Sequence, residues 1–389
     1  MHMPTQNLDP FALARHLSAK HLIDGTLVPA RSGRTFAVQN PATGAVIADA
    51  AAGDATDVEV AVAAALVAQK SWADVPARER GKRLVACAKL LEDHVEELAR
   101  LTALETGKAI RTESRPEAAA LADVFAWYGG LASELKGESV PFDASTLVVT
   151  SREPVGVVGA IIPWNAPLVL MALKVAPALV AGNAIVVKSS EEAPLGVLRV
   201  AEIMQQALPA GLLAVISGSG IGCGAPLASH PDIAKVTFTG SVETGRLVYR
   251  AAAEKLIPVT LELGGKGPMI VMADADLDRA IDAAFVGMRF TRQGQSCTAA
   301  SRIFVHDSLH DDFVARLVAR VDALKMGDPL AEETDVGTVI SRRQYDKVVS
   351  YVHLGKAEPG AVAHECCVLP DDPRLKDGLF VRPVLFTGL

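Results

Sequence analysis

The chain has 389 residues, 50% of them apolar and 21% charged, with a formal net charge of −7. That is a globular balance with enough apolar material for two domains of ordinary size, and the acidic charge without a Lys/Arg block argues against a nucleic-acid partner. The five cysteines form no paired framework and residues 1–25 carry His, Asp, Arg and Lys without an apolar run, so a reducing, cytoplasmic setting is expected.

Residues 21–50 read as short strands with turn signals, among them Asn40-Pro-Ala-Thr-Gly44. Apolar residues at three- and four-residue spacing over 56–71 and 77–107 predict helices. Residues 139–153 alternate polar and apolar. They fit either an arm leaving the body or an ordinary edge hairpin.

A different rhythm begins at 155. Apolar runs at 155–162, 183–188, 212–217, 234–239 and 257–262 predict strands, and 167–180, 194–207, 221–229 and 241–252 predict helices between them. Such alternation builds a parallel sheet covered on both faces. The uncharged stretch Val155–Leu173 has the length of a membrane span, but Pro163 and Pro167 break it into strand, turn and helix. After Gly264-Gly265 the alternation restarts, with strands at 268–272 and 302–305 and helices at 276–291 and 308–324. The fold class is therefore α/β: a Rossmann-like parallel-sheet unit over 1–138 and 154–264, an arm at 139–153, and a second α/β unit over 265–389.

Three residues carry candidate chemistry. Cys297 lies in the polar segment Arg292-Gln-Gly-Gln-Ser-Cys297-Thr-Ala, which suits a turn entering a helix. Backbone N–H groups there would favour a thiolate and hold an oxyanion, although free cysteines are commonly small core residues. Glu262 ends an apolar strand before Gly264-Gly265, where burial would make it a general base; a surface Glu paired with Lys266 is the plainer alternative. Asn165, in Pro163-Trp164-Asn165-Ala-Pro167, lies at the C-terminal end of the first sheet strand, the edge where open parallel sheets bind ligands. It fits an oxyanion donor or a simple turn asparagine. Nucleophile, base and amide donor together suit covalent chemistry on a carbonyl.

Nucleotide signals are weaker. Gly218-Ser-Gly220-Ile-Gly222-Cys-Gly224 follows a strand but does not read as G-x-G-x-x-G. Gly240-Ser241 also opens a helix, and either helix start suits a phosphate. Lys188 and Glu191 follow the second sheet strand, where a carboxylate would accept ribose hydroxyls and favour NAD over NADP. No metal-ligand spacing appears.

Taken together, Pro163-Trp-Asn-Ala-Pro-Leu168, Gly182-Asn-Ala-Ile-Val-Val-Lys188, Phe238-Thr-Gly-Ser241, Leu261-Glu-Leu-Gly-Gly-Lys266 and Gly294-Gln-Ser-Cys297 resemble the aldehyde dehydrogenase superfamily in order and spacing, from about Leu22 onward. The resemblance implies oxidation of an aldehyde to a carboxylate with NAD (NADP being possible). Cys297 would be the nucleophile, with Asn165 and the Cys297 N–H as oxyanion donors. Glu262 would activate the hydrolytic water, with Lys174 near this relay. The implied cofactor contacts are Ile161, Pro163, Trp164, Lys188, Glu191, Gly220, Gly224, Gly240, Ser241 and Leu263. Glu262 also argues against the CoA-acylating branch; Ser189 stands where proline is common. Ala166, Val169, Leu170, Leu173 and Phe290 match the substrate tunnel and suggest a hydrophobic aldehyde, unless Arg292 binds a substrate carboxylate. A homodimer or homotetramer is implied, with no membrane partner.

The resemblance also implies that a final part of the usual chain, including a Glu-Ile-Phe-Gly-Pro peptide whose glutamate holds the nicotinamide ribose, does not follow Leu389. Two further readings therefore stand beside the first: a catalytically impaired fragment or non-catalytic partner of full-length subunits, and an esterase that needs no hydride transfer.

Overall fold

A computed structural model describes residues 8–389 of the chain; the first seven residues, included in the expected first unit and in the reading of 1–25, lie outside the described residues. Helix α1 (Pro10–His16) is capped by Asp9, whose carboxylate accepts from the Phe11 N–H at 3.0 Å. Strands β1 (His21–Ile23) and β2 (Thr26–Val28) form one hairpin, β3 (Thr35–Gln39) and β4 (Val46–Ala51) another. Asn40-Pro-Ala-Thr-Gly44 is the turn of the second, closed by Gly44 N–H to Asn40 O at 2.8 Å.

Helices α2 (Ala55–Ala73), α3 (Ala77–Glu92) and α4 (Val95–Thr106) follow. The single helical run expected over 77–107 is broken at Asp93-His94, because the His94 ring takes the Leu90 carbonyl of the last α3 turn at 2.7 Å. Helix α4 ends on Gly107, at φ +73°. A π turn, Ile110–Ser114, then leads into α5 (Arg115–Gly130). Strands β5 (Ser139–Asp143) and β6 (Thr146–Val149) make an exposed antiparallel hairpin, with Phe142, Leu147 and Val149 open to solvent.

The central unit runs β7 (Val157–Ile161), α6 (Pro167–Val180), β8 (Ala184–Lys188), α7 (Leu195–Met204), β9 (Leu213–Ile216), α8 (Ala225–Ser229), β10 (Ile233–Gly240), α9 (Val242–Glu254) and β11 (Val259–Leu263). A π turn at Gly220–Gly224 replaces the first part of the helix expected over 221–229. The seven-stranded sheet has the order β11-β10-β7-β8-β9-β1-β2; β7 to β11 are mutually parallel and β1 joins β9 antiparallel. Strands β8 and β9 are buried throughout, as continuous apolar runs in a two-sided parallel sheet require. From β7 the chain moves outward to β8 and β9, then returns to place β10 on the other side of β7. This reversal opens a crevice at the C-terminal ends of β7 and β10. Helix α6 is fixed over it at its far end: Trp72 Nε1 donates to Leu179 O and Arg80 Nε to Val180 O, each at 2.8 Å, at about 1 kcal/mol net per bond.

The last part contains β12 (Gly267–Val271), α10 (Leu277–Gly287), β13 (Ala300–Val305), α11 (Asp307–Asp322), α12 (Arg342–Ala357), β14 (Val362–Glu365) and β15 (Val384–Thr387). Strands β12 and β13 pair in parallel, β14 and β15 antiparallel. Helix α10 stops short of the expected residue 291 because Arg289 turns left-handed, at φ +58°. A smaller core around Val271, Ala284, Phe313, Leu317 and Val321 is separate from the large one on the central sheet. Val155–Leu173 divides among β7, a loop and α6; no helix among the described residues is long and apolar enough to cross a membrane.

Candidate active site

Strand β7 delivers Ile161 to the crevice, and Pro163-Trp164-Asn165-Ala166 connects it to α6. Pro167 opens α6 with φ already set and no N–H to satisfy. Asn165 Nδ2 donates to Gln295 O at 3.0 Å, across 130 residues of sequence. An amide nitrogen carries a pair of N–H donors, so a second remains for an oxyanion.

That bond places Asn165 against the loop carrying Cys297. A short 3₁₀ turn, Phe290–Arg292, is flanked by left-handed Arg289 and Gln293. Cys297 lies beyond it, exposed, in a turn that feeds β13. The sequence favours a helix start here; the structure has none. Ser296 Oγ bonds Thr298 Oγ1 at 3.0 Å, a local turn that competes with helix, and Ala300 is already paired with Gly267 in the sheet. The remaining cysteines are buried free thiols, and burial pushes Cys87 and Cys223 up to about 12. Cys366 and Cys367 are unbridged.

Glu262 and Cys297 are brought together by backbone pairing. Gly267 pairs with Ala300, and a Cβ built on Gly265 would lie 3.9 Å from Cys297 O. The turn after Glu262 therefore runs beside the loop carrying Cys297. Glu262 itself is exposed, contrary to the burial its apolar neighbours suggest, because β11 is the outermost strand of the sheet. Opposite it, Lys174 of α6 is buried and donates to Thr237 Oγ1 at 3.1 Å. Burial pushes Lys174 down to about 8, partly opposed by the negative charge of Glu262.

The other side of the crevice collects the expected cofactor positions. Lys188, buried at the end of β8, donates to Glu191 Oε2 at 3.0 Å, while Gly220 N–H donates to Glu191 Oε1 at 3.1 Å. Burial raises the Glu191 carboxyl, but the charge of Lys188 and these hydrogen bonds bring it to a net value below the usual carboxylate range. Gly224 ends the π turn against this pair: its Cβ would lie 4.0 Å from Lys188 Cδ. Ser241 caps α9, accepting from Thr244 N–H at 3.2 Å, and leaves the first turn facing the crevice beside Gly240. Gly240 is level with Leu263 in the sheet, and Phe238 with Ile161. Ile161, Pro163 and Trp164 are half-buried along the same edge.

Of the tunnel positions, Ala166 is buried, Val169, Leu170 and Phe290 are half-buried, and Leu173 is exposed. Arg292 is committed elsewhere: its Nε donates to Glu113 at 2.6 Å. Sequence reasoning missed Glu113, Lys108 and Glu117, all buried beside the crevice. The available signal was the clustering of charges over 105–117 next to long apolar helices. Among the described residues, no cluster of His, Cys, Asp or Glu could hold a metal.

A doubly wound parallel sheet with a crevice at its switch point defines the architecture of a cofactor-binding α/β enzyme. The comparisons with known proteins agree. The model of the "Aldehyde dehydrogenase family" matches residues 27–389. The mitochondrial benzaldehyde dehydrogenase of Antirrhinum majus is 41% identical over 374 residues, covering 95% of this chain and 69% of that protein. The NAD+ complex of aldehyde dehydrogenase from Bacillus cereus superposes with a TM-score of 0.92 at 37% identity, over 98% of this chain and 77% of that one. Betaine aldehyde dehydrogenase from Staphylococcus aureus in complex with NAD+ gives 0.92 at 38% identity, over 98% and 76%. The chain belongs to the aldehyde dehydrogenase family.

Proposed function

We propose that the protein oxidises an aldehyde to the carboxylate with NAD, through a covalent intermediate on Cys297. The Cys297 thiolate adds to the aldehyde carbon, and the carbonyl oxygen becomes an oxyanion received by the free Asn165 N–H and the Cys297 backbone N–H. NAD supplies the hydride acceptor when bound. Collapse of the oxyanion would break the former aldehyde C–H bond, its hydride going to that acceptor, and a thioester remains on Cys297. Glu262 takes a proton from water as the water adds, the C–S bond breaks, and the thiolate is restored. Lys174, held by its bond to Thr237, keeps a positive field near this carboxylate when protonated.

The observation that carries the reading is the Asn165 Nδ2 bond to Gln295 O, two residues before Cys297, with the Gly264-Gly265 turn alongside. NAD fits the opposite side: the Lys188–Glu191 pair presents unfilled acceptor positions for ribose hydroxyls, and the α9 N-terminus suits a pyrophosphate. The half-buried apolar positions Val169, Leu170 and Phe290 favour a hydrophobic aldehyde, and the pairing of Arg292 with Glu113 argues against Arg292 as a partner for a substrate carboxylate. The exposed apolar hairpin β5–β6 favours pairing with a second copy.

The test is NADH formation by purified protein with NAD and benzaldehyde, then aliphatic aldehydes, beside Cys297→Ala. Cysteine-dependent turnover is expected. Turnover that survives Cys297→Ala contradicts the mechanism.

A further inference from the structure

We propose that the segment from Lys108 to Glu117 is a clamp that sets the nucleophile loop against Asn165, with Glu113 as its principal positioning residue. The inference rests on the reading of Cys297 and Asn165 as nucleophile and oxyanion donor. It adds residues that touch neither substrate nor cofactor.

The clamp grips both halves of the site from the π turn and the residues on either side of it. On the Asn165 side, Lys108 Nζ donates to Asn165 O at 3.2 Å and pairs with Glu117. Glu117 Oε1 in turn accepts from Leu168 N–H at 2.9 Å and Val169 N–H at 3.4 Å, at the start of α6. On the Cys297 side, Glu113 Oε1 accepts from Thr291 Oγ1 and Oε2 from Arg292 Nε, each at 2.6 Å. The clamp is itself anchored. Thr338 N–H donates to Gly107 O at 2.9 Å, Ile110 N–H to Pro329 O at 2.8 Å, and Arg111 pairs with Asp335.

The nucleophile loop needs such a hold. Arg289 and Gln293 both sit in the left-handed region, at φ +58° and +53°. Both conformations are disfavoured in a residue with a Cβ, and such strain persists only where surrounding contacts over-determine it. The strained turn has few ties: the Glu113 pair of bonds, Asn165 Nδ2 to Gln295 O, and Ile340 N–H to Gln295 Oε1 at 3.1 Å. Glu113 contributes short charge-assisted bonds, the stronger class. Without them the loop can relax, and Cys297 moves relative to an amide that Lys108 and Glu117 still hold in place.

The consequence is specific. A reaction that needs thiol and oxyanion donor together should suffer, and one that needs the thiol alone should not. The experiment compares, without NAD, the p-nitrophenolate burst from p-nitrophenyl acetate with iodoacetamide alkylation of Cys297 followed by peptide mass spectrometry. Glu113→Ala is expected to slow the burst by roughly 10- to 100-fold, the cost of a misplaced reactant, while alkylation changes less than about threefold. Glu113→Gln, which keeps one acceptor oxygen, should recover to within about fivefold of the parent. In an Asn165→Ala background, Glu113→Ala should cost less than about twofold, because the pair acts as one unit. A parental burst rate in Glu113→Ala overturns the clamp, as does an undiminished penalty in the Asn165→Ala background or an equal loss of burst and alkylation. If Glu113→Ala does not fold, Thr291→Val, which removes one of the same bonds from the other side, decides: a slower burst with alkylation retained supports the clamp, and parental values for both overturn it. A burst that survives Cys297→Ala instead overturns the reading of the site itself.

Discussion

Replacing Glu191 with Gln should weaken NAD binding and narrow the preference over NADP. The Glu191 carboxylate has about four acceptor sites, of which Lys188 Nζ and Gly220 N–H use one each. The remaining sites suit both hydroxyls of an adenine ribose. A hydrogen bond to a charged group contributes about 1.5–3 kcal/mol when buried. The Glu191 side chain is 43% exposed, so solvent screening reduces the pair to about 2 kcal/mol in total, or roughly 30-fold in Kd. For NADP the same carboxylate repels a phosphate of about two negative charges. At ~5 Å and an effective dielectric of ~40, that repulsion is about 3 kcal/mol. Glutamine keeps the shape and an oxygen for Lys188 but removes the charge. Isothermal titration should therefore show NAD binding weakened by roughly 30-fold while NADP binding holds or tightens. NAD affinity within about twofold of the parent, with NADP unchanged, would refute the placement of the ribose at Glu191.

The remaining predictions concern charge and packing. Glu105 is fully buried, accepts from Leu195 and Gly196 N–H at 2.8 Å each, and is pushed up to about 7 by burial, against those bonds. Its native value lies above the unfolded one, so its contribution is complete below pH ~4.5 and is lost as pH rises toward ~7, by about 3 kcal/mol; Glu105→Gln should flatten denaturant stability across that window, and an unchanged slope would count against it. Lys174 titrates near 8, so the corresponding limb of the kcat–pH profile should vanish in Lys174→Met; persistence of that limb assigns it to another group. A Cβ on Gly337 would overlap the Gly107 carbonyl, whereas one on Gly130 meets nothing within 4 Å. Thermal unfolding should show Gly337→Ala destabilised by roughly 1–3 kcal/mol and Gly130→Ala near neutral; equal midpoints would mean that the Gly107–Gly337 approach is not tight.

Much of the central sheet was legible because its strands are apolar on both faces and its helices carry clear punctuation. The expected helix over 167–180 coincides with α6, which Pro167 opens, and Ser241 caps α9 as its position after Gly240 suggested. Errors arose where tertiary contacts override local pattern. His94 breaks an otherwise continuous amphipathic run by bonding a carbonyl of α3. The turn at Cys297 leads into a strand and not a helix because Gly267 pairs with Ala300, which no local window contains. Glu262 reads as buried from its apolar neighbours, yet its exposure depends on β11 being the sheet edge. Glu113 and Glu117 escape a local reading for the complementary reason: charged residues in a helical turn or at a helix start read as solvated, and only the fold presses them against Thr291, Arg292 and Leu168.

In the proposed reaction, acylation of Cys297 precedes a hydrolysis driven by Glu262. The direct measurement is stopped-flow NADH absorbance with NAD and aldehyde for the parent chain, Glu262→Gln and Cys297→Ala. A burst near one NADH per active site with very slow steady-state turnover is expected in Glu262→Gln, and neither phase in Cys297→Ala. Steady-state turnover in Glu262→Gln equal to the parent, or a burst in Cys297→Ala, would contradict it.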